Sequence, residues 1–224
     1  ATVARFNPPS KNSVEIVNPD VEAYLYDLLP ARDVVLAEME ARAERERIPI
    51  VGPLVGRVFQ QLAMISGAKR VLELGSAIGY STIWWARGVG EGGRVWWTDG
   101  SAERAVEARD YLTRAGVASR VELLVGDAVE KMATVPGELD VVFCDIDKHG
   151  YPAALDAALP RLKRGGLFVC DNTLWSGRVL SEPAADDRNT KGVRELNRKT
   201  FADDGALFSV LFPLRDGVTV AVKR

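Results

Sequence analysis

The sequence predicts an α/β fold: a seven-stranded, mostly parallel sheet with helices on both faces and an antiparallel hairpin at its C-terminal end. Two observations carry this. Between residues 70 and 170, short apolar runs rich in β-branched residues alternate with stretches of helical periodicity, the pattern of parallel strands joined by crossover helices. The last two apolar runs, 207–214 and 218–223, are separated only by Arg215-Asp216-Gly217. A connection that short cannot cross over, so this pair is antiparallel.

The elements follow in order. Residues 1–18 are polar, carry prolines and lack periodicity; they read as a flexible arm ahead of a single domain over 19–224. Asn18-Pro19-Asp20 offers a helix start, with Val21, Tyr24, Leu25 and Leu28 on one face. A second helix is expected over about 31–47, its charge run forming a solvated face. Residues 48–53 are a break with two prolines, and 54–65 form a helix ended by Ser66-Gly67. Strands are then expected at 70–74, 94–98, 121–125, 139–144 and 167–170. Helices are expected at 80–87, 102–114, 129–132 and 152–162, the last with Pro152 in its first turn. Residues 176–190 read as a long loop of the kind that forms lids. Trp84, Trp85, Trp96 and Trp97 fall inside helix and strand runs and are expected to pack on the sheet.

A chain of 224 residues is long enough for one large domain with a real core. Its net charge of −2 gives no general attraction to nucleic acid or anionic membrane. No apolar run approaches the roughly 18 residues of a membrane span, and the first residues lack the apolar core of a signal peptide. The expected location is the cytoplasm. Cys144 and Cys170 each sit in a strand-like run and are expected to be free, buried thiols.

The strand ends carry the chemistry. The first strand runs into Glu73-Leu74-Gly75-Ser76-Ala77-Ile78-Gly79-Tyr80-Ser81, a glycine turn at a helix N-terminus where a ligand can approach the backbone. Glu73 stands where a dinucleotide-binding loop has its first glycine. A carboxylate there repels a pyrophosphate and suits a cationic ligand. Asp99 ends the second strand, in the place of a ribose-binding acid, with helix capping as the alternative. Gly126-Asp127-Ala128 ends the third, and Asp127 is equally suited to capping the next helix. The fourth and fifth strands both end Cys-Asp. Asp145 leads into Ile146-Asp147-Lys148, and Asp171 is followed by Asn172. Adjacent parallel strands would bring Asp145, Asp171 and Asn172 together, a set of hard oxygen ligands suited to Mg²⁺, Mn²⁺ or Ca²⁺.

Together, Val71-Leu-Glu-Leu-Gly75, Asp99, Gly126-Asp127-Ala128, Asp145-Ile-Asp147-Lys148, Tyr151 and Asp171-Asn172-Thr-Leu-Trp175 resemble the cation-dependent O-methyltransferases of the caffeoyl-CoA and catechol group. The resemblance covers about residues 20–224 and implies a Rossmann-like class I methyltransferase, whose sheet ends in such a hairpin. It implies an S-adenosylmethionine site at Glu73, Gly75, Ser76, Ser81, Asp99, Asp127, Ala128 and Asp145. It also implies a metal held by Asp145, Asp171 and Asn172, with Lys148 as the base, its pKa lowered by burial and the cation. The implied acceptor is a small aromatic molecule with vicinal hydroxyls, methylated within a homodimer. Tyr151 and Trp175 are candidate acceptor contacts. Asp147 has three open readings: acceptor contact, cofactor contact, or a residue that orients Lys148. His149 reads as an exposed turn residue.

Two other functions compete. A tRNA hydroxyuridine-type O-methyltransferase is disfavoured by the weakly acidic charge and the lack of a basic arm. A non-catalytic S-adenosylmethionine-binding protein is disfavoured because all four residues of the implied catalytic set are present. A nicotinamide dehydrogenase conflicts with Glu73 and the terminal hairpin.

Overall fold

The computed structural model describes residues 16–203 and 205–224, so most of the expected N-terminal arm lies outside the described residues. Three helices precede the sheet: α1 (Pro19–Asp27), α2 (Val34–Glu46) and α3 (Gly52–Ile65). The Asn18 side chain accepts hydrogen bonds from the Asp20 and Val21 amides and caps α1. Helix α2 starts later than expected because Asp33 caps it, accepting from the Val35 and Leu36 amides at 3.1 Å each.

The seven strands are β1 (Arg70–Leu74), β2 (Arg94–Asp99), β3 (Val121–Val125), β4 (Leu139–Cys144), β5 (Leu162–Cys170), β6 (Leu207–Phe212) and β7 (Val218–Lys223). They lie in the order β3-β2-β1-β4-β5-β7-β6. The first five are parallel, while β7 is antiparallel to both β5 and β6. The expected sheet and its terminal hairpin are therefore present. The helices α4 (Tyr80–Val89), α5 (Ala102–Arg114), α6 (Ala128–Met132), α7 (Tyr151–Ala158) and α8 (Arg188–Thr200) complete the fold.

Strand alternation divides the core into two layers. Val71, Val95, Trp97, Phe143 and Val169 pack with α3 and α4 on one face. There Phe59 stacks on Trp85 with ring centroids 4.7 Å apart, an arrangement contributing about 0.5–1.5 kcal/mol beyond its area. Leu72, Leu74, Val142, Cys144, Phe168 and Cys170 pack with α6, α7 and α8 on the other. All four sheet-region tryptophans are buried, as expected, and both cysteines are free and buried.

Further expectations need correction. Strand β5 starts at Leu162, five residues earlier than 167, and its register against β4 shifts between Leu139 and Val141. Helix α7 ends at Ala158, because Pro160 sits in a 3-10 turn, Leu159–Arg161, that leads straight into β5. The segment 176–190 is not loop throughout: Trp175–Leu180 forms 3-10 turns, and Asp187 caps α8 by accepting from the Thr190 amide at 2.9 Å. Helix α8 buries only Gly192, Val193, Leu196 and two threonines among charged residues, so it carries few apolar residues.

Candidate functional site

The strand order reverses direction at β1 and β4, and a crevice opens there beyond the C-terminal strand ends. It is a cavity of about 530 Å³. Its walls come from the β1–α4 turn (Gly75, Ser76, Ala77, Tyr80, Ser81), the β2 end (Asp99, Gly100) and the β3 end (Gly126, Asp127, Ala128). The β4 end contributes Asp145, Ile146, Asp147 and Lys148, and Asn172, Arg215 and Pro49–Val51 close the far side.

The glycine turn is shaped by close approach. Gly75 has φ +81°, and a Cβ there would collide with the Asp145 backbone carbonyl. Gly79, at φ +86°, starts α4 without a side-chain cap. Asp99 does not cap α5; Ser101 does. The Asp99 carboxylate instead accepts from the Ala77 amide at 3.1 Å and the Ser101 amide at 2.8 Å, so it braces the turn while lining the cavity. Asp127 does cap α6, accepting from the Glu130 amide at 2.9 Å, and it lines the cavity as well.

Glu73 lies behind the turn. It is fully buried, is not part of the cavity wall, and accepts a hydrogen bond from the Thr82 hydroxyl of α4. Burial pushes its carboxyl up to about 7. The alternation of β1 explains this, since its end residues point into the packed layers and only the turn beyond reaches the crevice.

At the other end, Cys144 and Cys170 are register partners, which sets Asp145 and Asp171 side by side at adjacent strand ends. Lys148 Nζ donates to Asp145 Oδ1 at 2.8 Å. Burial alone would lower the Lys148 pKa, but the Asp145 carboxylate outweighs it and the pKa is raised. Lys148 also lies 5.2 Å from the Tyr151 ring centre and 5.7 Å from that of Trp175. Neither aromatic lines the cavity; the Tyr151 hydroxyl is buried and donates to the Asp171 carbonyl at 2.9 Å. Asp147 is exposed at the cavity edge, and His149 is an exposed turn residue.

Asp171 is 0 % exposed and absent from the cavity wall. Arg215, from the turn between β6 and β7, stands over it, with Nη2 donating to Asp171 Oδ2 at 2.6 Å. The Asn172 amide donates to Asp216 Oδ2 at 3.3 Å. Sequence reasoning missed Arg215 and Pro49–Val51. Nothing local marks either, since they reach the crevice from opposite ends of the chain.

The family model described as O-methyltransferase matches residues 33–224. The chain belongs to the O-methyltransferase family. The catechol O-methyltransferase of Mycobacterium tuberculosis is 38% identical over 179 residues, 79% of this chain and 80% of that protein. The catechol O-methyltransferase of Niastella koreensis is 33% identical over 212 residues, 90% and 96% of the two chains. Among solved structures, cofactor-bound Rv0187 from M. tuberculosis superposes with a TM-score of 0.82 at 35% identity, covering 92% of this chain and 97% of that one. The Bacillus cereus O-methyltransferase in complex with SAH (S-adenosylhomocysteine) gives a TM-score of 0.81 at 30% identity, with the same coverages. This O-methyltransferase is S-adenosylmethionine-dependent, like the family it belongs to. Among its described residues, no helix is long and apolar enough to cross a membrane.

Proposed function

We propose that this enzyme transfers a methyl group from S-adenosylmethionine to a hydroxyl of a catechol-like small molecule. The observation that carries the reading is one crevice with two chemically different ends. One end offers a glycine cradle and acids suited to a nucleoside; the other gathers Lys148, Arg215, Asp145 and Asn172, suited to hydroxyl oxygens. Two relatives named catechol O-methyltransferase support the acceptor class.

The cradle fits the cofactor. Gly75 to Ala77 let the ligand lie against the backbone, and the free N-terminus of α4 faces the same turn. Asp99 keeps lone pairs for ribose hydroxyls, and Asp127 and Ala128 flank the base. Ser76 and Ser81 line the turn, with Glu73 behind them as a brace and not as a contact. When bound, S-adenosylmethionine supplies an electrophilic methyl on a sulfonium. Asp145 stands at the junction of the two ends, where it can hold the cofactor's ammonium group as well as Lys148.

A divalent cation at Asp145, Asp171 and Asn172 does not fit this arrangement. Asp171 is screened from the cavity by Arg215, so the second carboxylate of the set does not reach the crevice. Lys148 and Arg215 present two positive charges to the acceptor, which favours its ionised hydroxyl. The hydroxyl proton leaves to solvent at the open mouth. The acceptor oxygen then bonds to the methyl carbon as the carbon–sulfur bond breaks, and rate comes largely from in-line positioning. Because Asp145 holds Lys148 in its charged form, we assign Lys148 to stabilising the oxyanion in preference to acting as a neutral base.

A homodimer is also proposed, supported by Phe208, Val210 and Phe212, which lie exposed on the edge strand β6. Light scattering on the purified chain tests it. Two reduced, buried thiols support action in the cytoplasm. The main test is an acceptor screen with labelled methyl donor. Label transfer to catechols and not to monophenols is expected; transfer only to tRNA would overturn the acceptor class.

A further inference from the structure

We propose that Arg215 is a built-in cation at the acceptor end of the crevice, so that methyl transfer in this enzyme proceeds without a divalent metal. The inference rests on the catechol reading above.

Position is the first argument. Asp171 sits at a strand end beside Asp145, yet Arg215 and not Asp171 forms the cavity wall. An ion entering the crevice meets a guanidinium where its second carboxylate ligand should be. The side chain is anchored at two points. Nη2 donates to Asp171 at 2.6 Å, and Nη1 donates to the Ile50 carbonyl at 3.3 Å on the same side of the crevice. Arg215 Nε and Asp171 Oδ1 are buried without hydrogen-bond partners, so the contact between the two side chains is the single Nη2–Oδ2 bond.

Charge is the second. The two carboxylates at the strand ends already have two cations, Lys148 on Asp145 and Arg215 on Asp171. A divalent ion would have to displace a guanidinium that is always charged. Backbone shape is the third. Arg215 holds φ +53°, a left-handed conformation that glycine adopts freely and arginine does not. An arginine kept there points to a use for its side chain.

The geometry also suggests what Arg215 does. With one N–H of Nη1 on Ile50 and one N–H of Nη2 on Asp171, one N–H on each terminal nitrogen remains. The Arg215 side chain keeps 26 % of its surface exposed. Two donors on one planar guanidinium can serve two neighbouring oxygens on an aromatic ring. Arg215 thereby orients the acceptor and stabilises its oxyanion, the two tasks a metal ion would perform.

The experiment pairs a binding titration with a transfer assay on the full-length chain. Mn²⁺ is titrated by electron paramagnetic resonance into metal-stripped wild type, Arg215→Gly and Arg215→Gln, and labelled methyl transfer to catechol is measured with and without excess EDTA. Glycine suits the left-handed backbone, and glutamine keeps the bulk without the charge. Expected are no Mn²⁺ binding below about millimolar concentration by the wild type and at least roughly tenfold tighter binding by Arg215→Gly. Wild-type transfer should survive EDTA within about twofold, a change of no more than ~0.4 kcal/mol in the barrier. Tight Mn²⁺ binding by the wild type, or transfer lost in EDTA and restored by Mg²⁺, overturns the proposal. If no catechol is methylated under any condition, the acceptor reading fails, while the Mn²⁺ titration still decides the role of Arg215.

Discussion

Cys144 and Cys170 face each other across β4 and β5 as register partners, and both are fully buried. Their alignment places Asp145 and Asp171 at one level of the sheet edge. Burial pushes the Cys170 thiol well up, with Cys144 beside it adding to the shift. A thiol in this state is a poor nucleophile. A thiol reagent such as dithionitrobenzoate should label neither cysteine in the folded protein and both in denaturant. Rapid labelling under native conditions would contradict the packing of this layer.

Lys148 reaches into the crevice with its ammonium on Asp145, Nζ to Oδ1 at 2.8 Å. Lys148→Ala should lower kcat by about a hundredfold or more, since it removes a charge aimed at the developing oxyanion. Calorimetric affinity for S-adenosylhomocysteine should stay close to that of the wild type. A mutant that turns over normally would remove Lys148 from the mechanism. One that loses the cofactor would show that its role is to shape the site.

Glu73 makes stability depend on pH. Its carboxyl is raised from an ordinary 4.5 to about 7 by burial. Between those values the unfolded chain ionises Glu73 while the folded chain keeps it protonated, so the native state binds more protons. Stability must then fall as pH rises through that window, by about 3 kcal/mol in all, and level off above it. Glu73→Gln removes the titration. Its stability relative to wild type should improve steadily from pH 4.5 to pH 7.5, read by thermal denaturation of the cofactor-free enzyme. A difference independent of pH would show that Glu73 ionises normally.

Gly192 on α8 lies against the backbone of the Lys148–His149 turn, and a Cβ there would collide with the Lys148 carbonyl. Gly192→Ala should cost about 1–3 kcal/mol of stability, as overpacking does. It should also lower kcat by pushing the Lys148 turn out of place. Full activity at an unchanged melting temperature would mean that α8 can slide without disturbing the site.

Much of the fold was legible because its signals are local. The runs 70–74, 121–125 and 139–144 are bounded as expected, since β-branched clusters and flanking turn residues mark a strand without reference to anything distant. The positions of Asp145, Asp171 and Asn172 at strand ends were legible for the same reason. Helix α8 was not. Its cap, Asp187, and its buried pair Val193 and Leu196 are in the sequence, but a helix this polar is stabilised chiefly by docking against α7 and the Lys148 turn.

By itself the sequence determined the parallel sheet, its terminal hairpin and the two acidic strand ends that mark the site. Only the tertiary structure decided what those acids touch. Glu73 turned inward because β1 is packed on both faces. Arg215 reached Asp171 across 44 residues because β7 inserts beside β5 and carries its turn over the crevice. Periodicity reports which face a residue lies on. It does not report which distant charge will come to rest against it, because that depends on strand order, which no local pattern encodes.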